Sequence, residues 1–85
     1  MDPKRWSRPL AFQTNRFGEL RTINNTSEAV AVLDSLWPIA RGRDLRTAKR
    51  TCKQVLSGKK PPSAARNAFI AAAVEANVYV REPLR

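Results

Sequence analysis

The sequence has no histidine and a single cysteine, Cys52, which excludes most common catalytic and metal-binding arrangements. Histidine is the side chain used most often as a general base and as a metal ligand. Without it, no Ser-His or Cys-His pair and no Cys/His zinc site can form. The three glycines lie far apart, so there is no glycine-rich phosphate loop. We therefore expect no catalytic residue, no metal ligand, no cofactor and no enzymatic activity.

The sequence also lacks a long apolar run. No window approaches the roughly 18 apolar residues that a membrane-spanning helix needs. Residues 1–12 are charged and interrupted by Pro3 and Pro9, unlike a signal peptide. One cysteine permits no disulfide within the chain, which is typical of a reducing compartment. These features predict a soluble, cytoplasmic protein with no membrane span.

Positive charge is what the sequence has in excess. Its 16 Lys and Arg residues against 7 Asp and Glu residues give a net charge of +9 over 85 residues. The 42% of hydrophobic residues is ordinary for a globular chain, and this length makes one domain with a thin core. A charge this far from neutral favours an anionic partner: nucleic acid, an anionic membrane surface or an acidic protein.

The first third of the chain predicts a β-hairpin. Residues 1–8 are interpreted as a flexible lead-in, residues 9–82 as the single domain and residues 83–85 as a tail. Apolar residues alternate in residues 10–14, and a second strand is predicted at residues 19–23 after an Asn-Arg-Phe-Gly turn signal. The role of Trp6 stays open, because it stands among cations in the lead-in.

Three helices and a short strand are predicted next. Asn25 or Thr26 caps the first helix, which ends near Trp37 because the residue before a proline avoids helical geometry. Asp44 is predicted to cap the second helix, and Gly58 to follow its end. The third helix ends near residue 76, and a strand follows at residues 78–80. The predicted fold is α+β, order β-β-α-α-α-β, with a small two- or three-stranded sheet packed against the three helices.

Apolar residues at helical or strand spacing are the candidate core. The spacing places Cys52 in the apolar stripe of the second helix, which favours a buried thiol over a reactive one. Core packing is likewise favoured over base stacking for Trp37 and Phe69. The candidate core residues are Leu10, Phe12, Ile23, Val30, Leu33, Trp37, Leu45, Cys52, Val55, Leu56, Phe69, Val74 and Val78.

The strongest functional signal is the basic segment at residues 41–60, where eight Lys and Arg residues accompany one acid, Asp44. Four of the cations recur at i, i+3, i+4 and i+7 and so share one helix face, as expected for phosphate contact. A solvated face that only keeps the protein soluble is the alternative. The candidate sites for binding nucleic acid or another anion are Arg41, Arg43, Arg46, Lys49, Arg50, Lys53, Lys59 and Lys60.

A second functional hypothesis is a protein-interaction or self-associating module. A sheet edge, either the N-terminal strand or residues 78–80, would pair with another chain, which makes a homodimer one form of this hypothesis.

A pattern of residues spread along the chain carries a family resemblance. Its positions are Trp6, Pro9, Leu10, residues 26–29, Leu33, Trp37, Pro38, Arg41, Gly42, Ala48, Cys52 and residues 56–58, 65–69 and 72–76. With these positions, the sequence resembles the rhizobial domain-of-unknown-function family 982 across residues 6–80. The resemblance implies a compact α+β domain from an α-proteobacterium, and it implies no activity, ligand or functional residue.

Overall fold

The computed structural model describes residues 5–13, 20–39 and 41–82. Strands and helices follow in the predicted order β-β-α-α-α-β, which confirms the α+β fold. The elements are β1 (Arg5–Gln13), β2 (Arg21–Asn25), α1 (Thr26–Ser35), α2 (Arg43–Leu56), α3 (Pro62–Ala76) and β3 (Tyr79–Arg81).

The sheet is antiparallel, with strand order β2-β1-β3. Leu10 lies opposite Ile23, and Phe12 lies opposite Val80, so these side chains share the face that packs on the helices. The predicted turn of the hairpin, residues 15–18, lies outside the described residues. Because β1 is the middle strand, the expectation that the N-terminal strand forms a sheet edge is wrong. In the described sheet, the outer strands are β2 and β3.

The interpretation of residues 1–8 as a lead-in is wrong for Arg5 to Arg8, which belong to β1. Trp6 is only 3% exposed and packs in the core. Its indole Nε1 donates a 3.0 Å hydrogen bond to the hydroxyl of Thr26, which is fully buried at the start of α1. A hydrogen bond of this kind offsets the cost of burying an indole N–H, so it explains how Trp6 can be a core residue despite its charged neighbours.

Phe69 of α3 lies at the centre of the core. The rings of Trp6, Phe12 and Trp37 meet it edge-on, with centroid distances of 6.3, 6.0 and 5.1 Å. Edge-to-face pairs of this kind typically stabilise a fold by about 0.5–1.5 kcal/mol beyond the burial of their area. Trp37 and Phe69 are thus core residues, as predicted.

Most other predicted core residues are buried, with three exceptions. Leu56 is 40% exposed and Val74 is 71% exposed, while Val30 is partly buried against the core. Val74 lies about 140° around α3 from Phe69, which turns it away from the sheet. The confirmed core residues are Leu10, Phe12, Ile23, Leu33, Trp37, Leu45, Cys52, Val55, Phe69 and Val78.

Side chains and turns near the helix ends set the boundaries. Asn25 caps α1 by accepting a 2.8 Å hydrogen bond from the backbone N–H of Glu28. The Glu28 carboxylate in turn accepts a 2.8 Å hydrogen bond from the backbone N–H of Asn24, the residue before the cap, so the two side chains together satisfy two backbone donors at the helix start. Gly58 follows α2 with φ 85°, as predicted for a glycine in the left-handed region. Asn77 ends α3 in the same region, with φ 57°.

Candidate nucleic-acid interface

Helix α2 is oriented by its apolar stripe, which packs against α1 and α3. Leu45, Ala48, Cys52 and Val55 on this stripe are at most 3% exposed. Since the inner side is fixed by burial, the opposite side of the helix must face outward. The structure places on this outer side a surface that we call the basic face, consisting of Arg43, Arg46, Lys49, Arg50 and Lys53.

All eight candidate binding residues lie at the surface. Seven are exposed, and Lys49 is half-buried. Arg41 lies just before α2, while Lys59 and Lys60 lie in the connection from α2 to α3. A groove of about 300 Å³ brings together Arg41, Arg46 and Lys49 beside Gly42 and Leu45. The groove therefore joins Arg41 to the basic face at the start of α2, while Lys59 and Lys60 lie beyond the other end of the helix.

The start of α2 differs from the prediction. The helix begins at Arg43 with Gly42 as its N-cap residue, so the expectation that Asp44 caps it is wrong. The cap comes instead from Glu75 of α3, whose carboxylate oxygens accept hydrogen bonds from the backbone N–H groups of Asp44 and Leu45, both at 3.0 Å. A Cβ atom at Gly42 would collide with this carboxylate. A glycine at position 42 thus leaves room for the cap.

The cap also sets the electrostatics at this end of the helix. The backbone hydrogen bond from Asp44 is the main cause that lowers the pKa of Glu75 below its usual 4.5; desolvation opposes it, and Leu45 and Arg43 add to the lowering. Because a carboxylate already occupies the positive end of the helix dipole, an anionic ligand at α2 must be bound by side chains.

One acid lies beside the basic face. Asp34 of α1 forms an ion pair with Lys49, with 3.5 Å between the Lys49 Nζ and the Asp34 Oδ1. The two side chains are 39% and 56% exposed, so the pair is weak. Arg46, Arg50 and Lys53 form none of the ion pairs seen among the described residues.

Cys52 lies on the inner side of the same helix and is fully buried. Burial raises the pKa of its thiol to about 11, and the negative charge of Asp34 adds to this effect. The thiol is therefore neutral near pH 7 and behaves as a small apolar group, which confirms the core interpretation.

Sequence reasoning missed a second basic cluster, between β1 and the start of α3. Arg8 and Arg66 both contact the Glu82 carboxylate, at 3.2 and 3.1 Å, beside a groove of about 350 Å³. Arg66 also donates hydrogen bonds to the backbone carbonyls of Arg8 and Pro9. No local signal could have revealed this cluster, because Arg66 lies 58 positions from Arg8. Arg66, 12% exposed, joins α3 to β1 and Glu82, whereas Arg8 is 61% exposed and its ion pair with Glu82 is weak.

Two further features bear on function. In the described parts of the chain, no three His, Cys, Asp or Glu residues are grouped so that they could hold a metal ion. No helix within residues 5–13, 20–39 and 41–82 is long and apolar enough to cross a membrane.

Comparison with known proteins identifies the family. The model of a family of proteins of unknown function, DUF982, matches residues 8–80. The chain belongs to this family. Its fold is similar to the NMR structure of Agrobacterium tumefaciens protein Atu1219, with a TM-score of 0.81 and 27% sequence identity. That similarity covers 99% of this chain and 83% of the other.

Part of this DUF982 chain is also similar to curated bacterial proteins. The dual-action ribosomal maturation proteins DarP of Escherichia coli, Shigella boydii and Escherichia fergusonii are each 41% identical to it over 49 residues. The match covers 58% of this chain and only 27% of those relatives, so the chain spans about a quarter of their length.

Proposed function

We propose that this chain is a non-enzymatic, cytoplasmic domain that binds nucleic acid, and RNA in particular, through the basic face of α2. The observation that carries the proposal is the state of Arg46, Arg50 and Lys53, which are exposed and make no ion pair with the described residues. Lys and Arg residues arranged in this way bind phosphates and release the counterions condensed on them.

The similarity to the DarP proteins supports RNA over DNA. Those relatives are named as ribosomal maturation proteins, and the ribosome is rich in RNA. The activity of the whole relatives is not carried over, because the matched region is 27% of their length. The proposal for this chain covers only the binding of RNA.

The proposed contacts are to phosphates and not to base edges. Glu75 occupies the N-terminus of α2, so the binding groups are the side chains along the helix. Phosphate contacts position a protein on nucleic acid but carry no sequence information. We therefore expect similar affinity for RNAs of different sequence and a strong dependence of affinity on salt.

A binding titration tests the proposal. If four to six cations contact phosphate, log K falls against log[salt] with a slope of roughly −4 to −5 on a duplex, measured between ~50 and ~200 mM salt. The triple variant Arg46→Ala/Arg50→Ala/Lys53→Ala should reduce the magnitude of this slope by about 2 to 3. No retardation of any RNA or DNA at ~50 mM salt, where electrostatic binding is strongest, would end the proposal.

A matched control variant distinguishes the effect of the basic face on binding from the effect of the chain's net charge. Arg81 of β3 is exposed, and it lies opposite Ala11 on the sheet face turned away from the helices. Arg81→Ala and Arg50→Ala remove the same charge from two exposed positions. Under the proposal, Arg50→Ala weakens binding and Arg81→Ala leaves it nearly unchanged. Equal weakening by both would mean that only net charge matters.

Self-association is the second candidate function, and the outer strands of the sheet favour it. In the described sheet, β2 and β3 each have one edge without a neighbouring strand. One apolar side chain of β3 itself, Tyr79, is 52% exposed. An open edge of this kind can pair with another chain. Sedimentation over a range of concentrations decides the point, since a monomer throughout excludes self-association.

A further inference from the structure

The cations of the basic face form two rows on α2. At about 100° of rotation per residue, Arg43 and Lys49 lie roughly 60° on either side of Arg46. Arg50 lies about 40° from Arg46 on the side of Arg43, and Lys53 lies about 20° from Arg46 on the side of Lys49. We call Arg43 and Arg50 the arginine row, and Lys49 and Lys53 the lysine row. Arg46 lies between the two rows, on the middle line of the face.

The two rows sit on a convex surface of fixed orientation. Leu45, Cys52 and Val55 anchor the inner side of the helix in the core. From Arg43 to Lys53 the face extends about 15 Å along the helix axis, at 1.5 Å per residue. Each row also has one member near an acid: Lys49 pairs with Asp34, and Arg43 lies close enough to help lower the pKa of Glu75. The rows are thus similar in charge and in the acids near them.

The described aromatic residues do not join this surface. Proteins that bind single strands stack successive bases on exposed aromatic rings inside a basic groove. Trp6, Phe12, Trp37 and Phe69 are at most 6% exposed. Tyr79 is exposed, but it lies opposite Gln13 on the sheet face turned away from the helices. In the described parts of the chain, the basic face therefore offers charge without a stacking platform.

We infer that the basic face binds the double-stranded form of RNA, with the arginine row and the lysine row contacting phosphates of opposite strands. A convex helix with cations on both sides fits a groove that has a phosphate backbone along each wall. The minor groove of A-form RNA is wide and shallow, and duplex RNA is recognised mainly through its shape and backbone. This inference rests on the proposed function, because it names the form of nucleic acid that the same face takes.

The test compares a duplex with its own strands. An RNA duplex of about 16 base pairs and its two separated strands, chosen without self-complementarity, are titrated against the full chain at one salt concentration. We expect the duplex to bind at least about tenfold more tightly than either strand, because one strand can engage only one row at a time. Binding of a single strand as tight as that of the duplex overturns the inference and leaves the proposed function standing. Binding of neither overturns the proposed function itself.

Two variants with the same charge change test the rows directly. Arg43→Ala/Arg50→Ala removes the arginine row, and Lys49→Ala/Lys53→Ala removes the lysine row. Each should weaken duplex binding by about 10- to 30-fold near physiological salt, and each should reduce the preference for duplex over single strand. A large effect from one row and none from the other overturns the two-strand arrangement. Circular dichroism confirms that both variants are folded.

Discussion

Helices α2 and α3 are neighbours of 14 and 15 residues that use charge in opposite ways. Helix α3 carries two charged residues, Arg66 and Glu75, and both bond to other parts of the protein. Helix α2 carries Arg46, Arg50 and Lys53 on its outer side, without ion pairs among the described residues. The comparison separates charges that build the fold from charges that are available to a partner. The four predictions below test this separation.

The largest effect on stability is expected at Arg66. Its side chain is 12% exposed and joins α3 to β1 and to Glu82. Arg66→Ala should lower the free energy of unfolding by about 1.5 kcal/mol, because it removes charge-assisted hydrogen bonds and the packing of a side chain that is mostly buried. Arg50→Ala, which touches no such network, should change it by less than about 0.5 kcal/mol. Urea denaturation followed by circular dichroism measures both. Equal losses of stability from Arg66→Ala and Arg50→Ala would contradict the division between charges that build the fold and charges that are available to a partner.

The next largest effect is expected at the cap that α3 provides for α2. Gly42→Ala should lower the free energy of unfolding by about 1 kcal/mol, the usual cost of losing an N-terminal cap, because its Cβ displaces the Glu75 carboxylate. Glu75→Ala removes the same interaction. The double variant should therefore be no less stable than Glu75→Ala alone. Additive losses would show that the two positions act independently.

The cap that Glu75 provides for α2 also predicts how the stability of the fold depends on pH. The pKa of Glu75 is lowered from 4.5, so its carboxylate form is favoured by folding. The stabilisation is present above pH 4.5 and is lost as the pH falls through the lower pKa of the folded state. Glu75→Gln should show a smaller loss of stability over this acidic range than the parent chain. An unchanged acid profile would count against the cap.

The smallest effect is expected at Asp34, the acid beside the basic face. Asp34→Asn releases Lys49 from its 3.5 Å ion pair and removes a negative charge that repels phosphate. RNA affinity should rise by about twofold, because exposed ion pairs contribute only about 0.2–1 kcal/mol. Fluorescence anisotropy with labelled RNA at low salt is sensitive enough to detect this. A fall in affinity would mean that Asp34 supports the basic face.

The sequence predicts those features of the fold that depend on residues close together in the chain. Asn25 is one of the two residues predicted to cap the first helix, and Gly58 is predicted to follow the second, because each acts on backbone close to it in the chain. The apolar spacing of α2 likewise identified its inner side, and Cys52 with it. The order β-β-α-α-α-β followed from these signals.

Long-range contacts account for the errors. Trp6 was assigned to a lead-in because its neighbours are charged, yet its indole bonds to Thr26, 20 positions away. Asp44 was expected to cap α2 because it is a good local cap, yet Glu75, 31 positions from Asp44, supplies the acceptors. The residues next to Trp6 and Asp44 in the sequence do not indicate these distant hydrogen-bond partners.

The sequence by itself determined that α2 is amphipathic and that its cations share one side, because helical spacing alone decides which residues lie together. The tertiary structure decided which charges are available. In the folded chain, Arg66 and Glu75 form hydrogen bonds with other elements, and Lys49 forms an ion pair with Asp34. The tertiary structure left Arg46, Arg50 and Lys53 exposed, outside the ion pairs of the described residues. The physical reason is that an ion pair or a cap depends on which side chains packing brings together, and packing joins positions far apart in the chain.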